Sequence, residues 1–162
     1  MKKTILYMIT ALLIATFLSA CEGSAGQKEL IHYINDCLPP IAEIETRVIN
    51  RYDSVSGENY TDDLTMYTAL KDEIVPNSLK LIEAAEAITV ENEKIKDLHE
   101  IYIDAINKQH SAFTTILSAI ESQDYSKVSE ANTMLSDARK GVRDYLYALE
   151  ELKKEYNVVT DE

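Results

Sequence analysis

Three histidines, two cysteines and 28 acidic residues are the groups in this 162-residue chain with the chemistry to bind a metal, attack an electrophile or move a proton. A metal held inside a helical protein commonly uses two Glu-x-x-His motifs, each placing a carboxylate and an imidazole on one helix face, plus two further glutamates. Glu29-Leu30-Ile31-His32 supplies one such motif. His99 is preceded three positions earlier by Lys96, and His110 by Asn107, so the second motif is missing. His99 and His110 are expected to be exposed or flanking residues rather than ligands. Asp62-Asp63, Asp72-Glu73 and Glu150-Glu151 are adjacent carboxylates. Consecutive side chains on a helix diverge by about 100°, so these pairs are poorly placed to share a proton or an ion. Nothing matches a nucleophile elbow, a phosphate-cradling glycine loop, a zinc cysteine cluster or the Asp/Gly pattern of a calcium loop. The residues predict no catalytic group, no metal and no cofactor: a protein that is not an enzyme.

Other side chains point to surfaces. Arg139, Lys140 and Arg143 form a basic cluster, with Arg139 and Arg143 four apart on one helix face. It reads as an interaction patch for an acidic partner or a lipid head group, or as a set of partners for neighbouring acids. There are ten tyrosines and no tryptophan. Tyr67, Tyr102, Tyr145 and Tyr156 fall on apolar stripes, with their hydroxyls expected at the rim. Tyr33, Tyr52, Tyr60, Tyr125 and Tyr147 are expected to be more exposed, where tyrosine favours protein contacts. Cys37, between Asp36 and Leu38, reads as a buried, inert thiol.

The N-terminus reads as an export signal. Lys2 and Lys3 precede a predominantly apolar run over residues 5–18, which closes on Leu18-Ser19-Ala20-Cys21. A charged start, a short apolar segment and small residues before a cleavage point make a secretory signal. The run falls short of the roughly 20 residues that span a bilayer. Leu18-Ser19-Ala20-Cys21 resembles the lipobox of bacterial lipoproteins: Leu, two small residues, then an obligatory Cys. The resemblance covers the export segment alone. It implies a signal peptide over residues 1–20, a diacylglycerol on the Cys21 sulfur, and a membrane-anchored protein on the extracytoplasmic side of a bacterial cell membrane. Two acyl chains make a stable anchor at about 0.8 kcal/mol per buried methylene. Loss of Lys2 and Lys3 leaves 14 basic against 28 acidic residues, a net −14. Residues 21–28 then read as a flexible tether, whose last seven residues reach roughly 25 Å when extended. With Cys21 lipidated, Cys37 has no disulfide partner.

The elements that must position these groups are helices. Spacings of three and four run through Leu30, Ile34, Cys37, Ile41, Ile44 and Val48, and then through Leu64, Tyr67, Leu70, Ile74, Ser78, Leu81, Ala85 and Ile88. A third stripe is Ile95, Leu98, Tyr102, Ala105, Gln109, Ala112, Ile116 and Ala119. The fourth is Val128, Ala131, Leu135, Ala138, Val142, Tyr145, Leu149, Leu152 and Tyr156. Turn chemistry over residues 53–61 offers Thr61 or Asp62 as a cap, Thr89 is placed to cap the third helix, and Ser122-Gln123-Asp124 makes a short turn. The prediction is all-α: an antiparallel up-down-up-down four-helix bundle over residues 29–156, about 40–45 Å long, with a frayed acidic tail at 157–162.

Pro39-Pro40 and Pro76 interrupt the first and second helices, which are expected to be kinked there. Folding the chain back at residues 59, 90 and 123 brings Pro40, Pro76, Asp104 and Val142, beside Gly141, to similar heights. This level reads as a widened waist with a pocket walled by Cys37, Asn77, Tyr102 and Tyr145, or as a shared bend in which Gly141 relieves crowding.

A net charge of −12 excludes nucleic acid as a partner, because phosphate binding needs a basic face. The sequence thus predicts a membrane-anchored, non-catalytic envelope lipoprotein whose bundle binds another protein or serves as a structural or inhibitory module. The alternative expectation is a small-ligand or cation-binding lipoprotein that uses the mid-bundle pocket.

Overall fold

The structure is a computed structural model and describes residues 23–159, so residues 1–20, expected to be a signal peptide, and Cys21 lie outside the described residues. The fold is all-helical, with no strand among the described residues. The helices are α1 (Ala25–His32), α2 (Leu38–Asp53), α3 (Asp63–Ala69), α4 (Val75–Glu86), α5 (Glu93–Ser122) and α6 (Ser126–Glu155), with a short 3-10 turn at Gly57–Asn59. One π-helical turn, Tyr33–Cys37, joins α1 to α2, and another, Leu70–Ile74, joins α3 to α4. Among the described residues four continuous helical stretches result, over residues 25–53, 63–86, 93–122 and 126–155. None of the described helices is long and apolar enough to cross a membrane.

The π turns sit where the prolines demand them. Proline has no N–H, and its ring presses on the carbonyl four residues earlier. The Leu38 N–H donates to the Tyr33 carbonyl and the Val75 N–H to the Leu70 carbonyl, each five residues back. The widened turn lets Pro39-Pro40 and Pro76 open a fresh α-helical segment, where their missing donors are not needed.

Caps set most of the ends. The Ser24 hydroxyl accepts from the Gln27 N–H, so α1 starts at Ala25, inside the segment expected to be a tether. Asp62 caps α3 by accepting from the Thr65 N–H. Asn92, not Thr89, caps α5, its side-chain oxygen accepting from the Lys94 and Ile95 N–H groups. The helix starts later than expected because Val90 first turns into the core. After α6 the chain does not fray at once. Asn157 adopts a left-handed φ of 52°, the Val158 N–H donates to the Lys153 carbonyl, and Val158 is buried. Gln123, at φ 53°, closes α5 in the same way through Asp124 N–H and the Ala119 carbonyl.

At one end of the molecule the Glu29 carboxylate accepts from the Glu91 and Asn92 N–H groups, Asn92 Nδ2 donates to the Tyr156 hydroxyl, and Gln27 Nε2 donates to the Asn157 carbonyl. At the other, the Tyr125 hydroxyl donates to Asp63 and the Tyr67 hydroxyl to Glu121. The core between them falls into two clusters. One, near the first end, includes Leu30, Ile34, Ile41, Leu81, Ile95, Leu98, Ile106 and Leu149; the other includes Val48, Met66, Leu70, Ile74, Phe113, Ile116 and Leu135. Most stripe residues are buried as expected. Leu64 is the exception at 74% exposed: it sits in the first turn of α3, and Met66 takes the inward place. α5 and α6 pack closely at Gly141, where an added Cβ would lie 2.8 Å from the Ala105 Cβ.

Candidate functional site

A chain of buried polar side chains lies against the first core cluster. Tyr33 contributes from the first π turn, Glu45 from α2, His99 and Tyr102 from α5, and Tyr145 from α6. The Tyr33 hydroxyl is 2.9 Å from His99 Nδ1 and 3.2 Å from the Tyr145 hydroxyl, and His99 Nε2 is 2.9 Å from the Ala85 carbonyl oxygen. A carbonyl only accepts, so Nε2 carries a hydrogen. In a singly protonated ring Nδ1 then accepts from Tyr33, and Tyr33 accepts in turn from Tyr145. On the far side, the Tyr102 hydroxyl donates to Glu45 Oε2 at 3.1 Å. Ring contacts knit the set together: Tyr102 lies 5.2 Å from Tyr145, and Tyr33 meets His99 edge-on at 5.5 Å.

The electrostatics follow from burial. Glu45 is 2% exposed, and burial pushes its pKa up to about 7 against the opposing pull of the Tyr102 hydrogen bond. Among the described residues no cation forms an ion pair with it. Burial also raises Tyr33, Tyr102 and Tyr145 well above the usual phenol range, so all three stay protonated donors. Burial thus brings the Glu45 carboxyl into the neutral range.

Several expectations are corrected here. Tyr33 is fully buried, not exposed, because the wider π turn lets both Tyr33 and Ile34 face inward. His99 is buried because its two ring nitrogens are both satisfied inside the protein. The Tyr102 and Tyr145 hydroxyls lie inside rather than at the rim, for the same reason. Tyr52 is half-buried, its ring 4.8 Å from that of Phe113.

Of the four residues expected to wall a pocket, Tyr102 and Tyr145 come together in this chain. Cys37 is half-buried against the same apolar cluster, its thiol pushed up by burial and by Asp36. Asn77 is half-buried on α4, next to Pro76. Glu29 and His32 do not converge, since Glu29 binds loop amides and His32 Nδ1 lies 2.7 Å from Asp36. Among the described residues no group of three or more potential ligands is gathered for a metal. His110 meets the buried Ser78 hydroxyl at 2.8 Å, but that hydroxyl donates its proton to the Val75 carbonyl and leaves only a lone pair for the imidazole.

Arg139, Lys140 and Arg143 are exposed; Lys140 pairs with Asp144 at 2.6 Å, and the Arg139 charge acts on Tyr52 and Asp53. A cleft of about 630 Å³ between α5 and α6 has an apolar floor of Leu98, Ile101, Ala148 and Leu152, rimmed by Lys94, Asp97, Glu151, Lys154 and Glu155. At the end away from Ala25, Asp63 gathers the Tyr60 and Tyr125 hydroxyls beside the exposed Leu64. Compared with known proteins, the chain matches no family model, no curated protein and no solved structure.

Proposed function

We propose that this chain is a lipid-anchored, non-catalytic lipoprotein of the bacterial envelope whose helical body binds another protein. The observation that carries the reading is Leu18-Ser19-Ala20-Cys21, whose cysteine stands four positions before Ala25, where α1 starts. A diacylglycerol on Cys21 would hold the body close to the bilayer surface by its Ala25 end. The body is read as an antiparallel up-down-up-down four-helix bundle bent at its prolines. Contacts among Gln27, Glu29, Asn92, Tyr156 and Asn157 at one end, and among Asp63, Tyr67, Glu121 and Tyr125 at the other, support that topology. The buried hydroxyls and imidazole of the mid-body chain serve one another and the backbone, which favours a structural role for that chain. The exposed Tyr60, Leu64 and Tyr125 supply the apolar and aromatic surface that protein contacts use.

Mass spectrometry of membrane-extracted native protein tests the address. The expected species begins at Cys21 and carries a diacylglyceryl mass on it, and Cys21→Ser should move the protein from the membrane to the soluble fraction. An intact Met1-Lys2-Lys3 leader with an unmodified Cys21 thiol would sink the proposal.

A further inference from the structure

We infer that the end of the body away from Ala25 is a docking surface for a protein face rich in lysine and arginine, centred on Tyr60, Leu64 and Tyr125. The inference rests on the anchored, protein-binding reading above and adds the surface and the chemistry of its partner.

Three separate segments meet there. Tyr60 lies in the connection before α3, Leu64 in the first turn of α3, and Tyr125 in the turn before α6. They are 48%, 74% and 52% exposed. One side chain arranges them: Asp63 Oδ1 accepts from the Tyr60 hydroxyl at 2.8 Å, and Oδ2 accepts from the Tyr125 hydroxyl. Both rings are therefore held in place before a partner arrives, so less side-chain freedom is lost on binding. Tyrosine with this mix of apolar face and polar tip is a residue type that dominates interface energetics when truncated.

The charge around them selects the partner. Residues 53–67 and 119–127 carry Asp53, Glu58, Asp62, Asp63, Glu121 and Asp124 against Lys127 alone. Lys127 is turned onto the Ser118 and Ser122 hydroxyls, Arg139 acts from α6 on Tyr52 and Asp53, and Lys71 is spent on the Tyr67 hydroxyl beside Glu121. An aromatic centre with an acidic rim repels anionic lipid, nucleic acid and a second copy of itself, and attracts a cationic protein surface. In the anchored orientation this end points away from the bilayer.

A photo-crosslinking residue placed at Leu64, in the full-length protein in its own membrane, tests the inference. The same residue at Tyr147, 72% exposed on α6, is the comparison site. The expected result is a discrete adduct from Leu64 and none from Tyr147, with the crosslinked partner peptide lying in a Lys/Arg-rich surface. The adduct should fade as salt rises from about 0.05 to about 0.5 M, since screening weakens exposed charge contacts. Tyr60→Ala combined with Tyr125→Ala should weaken binding of the purified pair roughly 30-fold. An adduct from Tyr147 but not Leu64 overturns the surface and leaves protein binding standing. A Leu64 adduct to another copy of this chain, or one indifferent to salt, overturns the partner chemistry. No adduct from either position overturns the surface and the protein-binding reading together.

Discussion

Replacing Glu45 by Gln should make this protein more stable, by an amount that grows as the pH climbs from 4.5 to about 7 and stays constant above that. Glu45 is buried without an ion-pair partner and accepts a hydrogen bond from Tyr102. Its pKa is raised from an ordinary 4.5 to about 7, so folding takes up a proton in the window between those values. The stability that accompanies the protonated carboxyl is fully present below pH 4.5 and is lost as the pH climbs through 7. At roughly 1.4 kcal/mol per pH unit, the whole window is worth about 3 kcal/mol. Glu45→Gln keeps the shape and the acceptor for Tyr102 but cannot ionise. Urea unfolding of both proteins should agree within about 1 kcal/mol near pH 5 and differ by about 3 kcal/mol near pH 8.5, the Gln protein being the more stable. The thermal midpoint should differ by roughly 10 °C at the higher pH. His110 works in the opposite sense, since burial lowers its pKa, but it is common to both proteins and cancels in the difference. Parallel stability curves across the whole pH range would refute the reasoning, because they would mean that the Glu45 carboxyl is not held out of water.

Gly141→Ala should destabilise the protein by about 1–2 kcal/mol in urea unfolding. The new methyl would sit 2.8 Å from the Ala105 Cβ, and overpacking outweighs the gain in helix propensity, which is about 1 kcal/mol. A variant more stable than the parent would show that α5 and α6 separate freely there. Gln123→Gly should do the reverse, raising stability by about 0.5–1 kcal/mol, because Gln123 holds a left-handed φ of 53° that glycine adopts without a Cβ clash. A lowered thermal midpoint would argue against that geometry at the α5–α6 turn.

Helical class, element order and most of the core were readable from spacing. The stripes through Leu30, Ile34, Ile41 and Val48, and through Ala131, Leu135, Ala138, Tyr145 and Leu149, are buried. Asp62 caps the helix it was expected to cap. The buried polar chain was only half readable. Ile34, Leu38, Ile41, Glu45, Val48 and Tyr52 alternate by four and three, as do Ile95, His99, Tyr102, Ile106, Gln109 and Phe113. Glu45 and His99 therefore lie on inward stripes, but a charged or ionisable side chain on such a stripe is ordinarily counted as surface. Tyr33 carried no signal of this kind, since its inward place depends on the π turn before Pro39. The cluster of Tyr60, Asp63, Leu64 and Tyr125 was hidden for a different reason: Tyr125 lies 62 residues beyond Asp63, and no periodicity encodes the meeting of their two turns.

The amino-acid order by itself determines the helices and their apolar stripes, because each depends on neighbours within a turn or two. Which polar groups end up enclosed, and on whom they spend their hydrogen bonds, is settled by contacts between residues 33 and 145, or 45 and 102. Burial is a property of the assembled helices, and so is the proton affinity that it confers on Glu45.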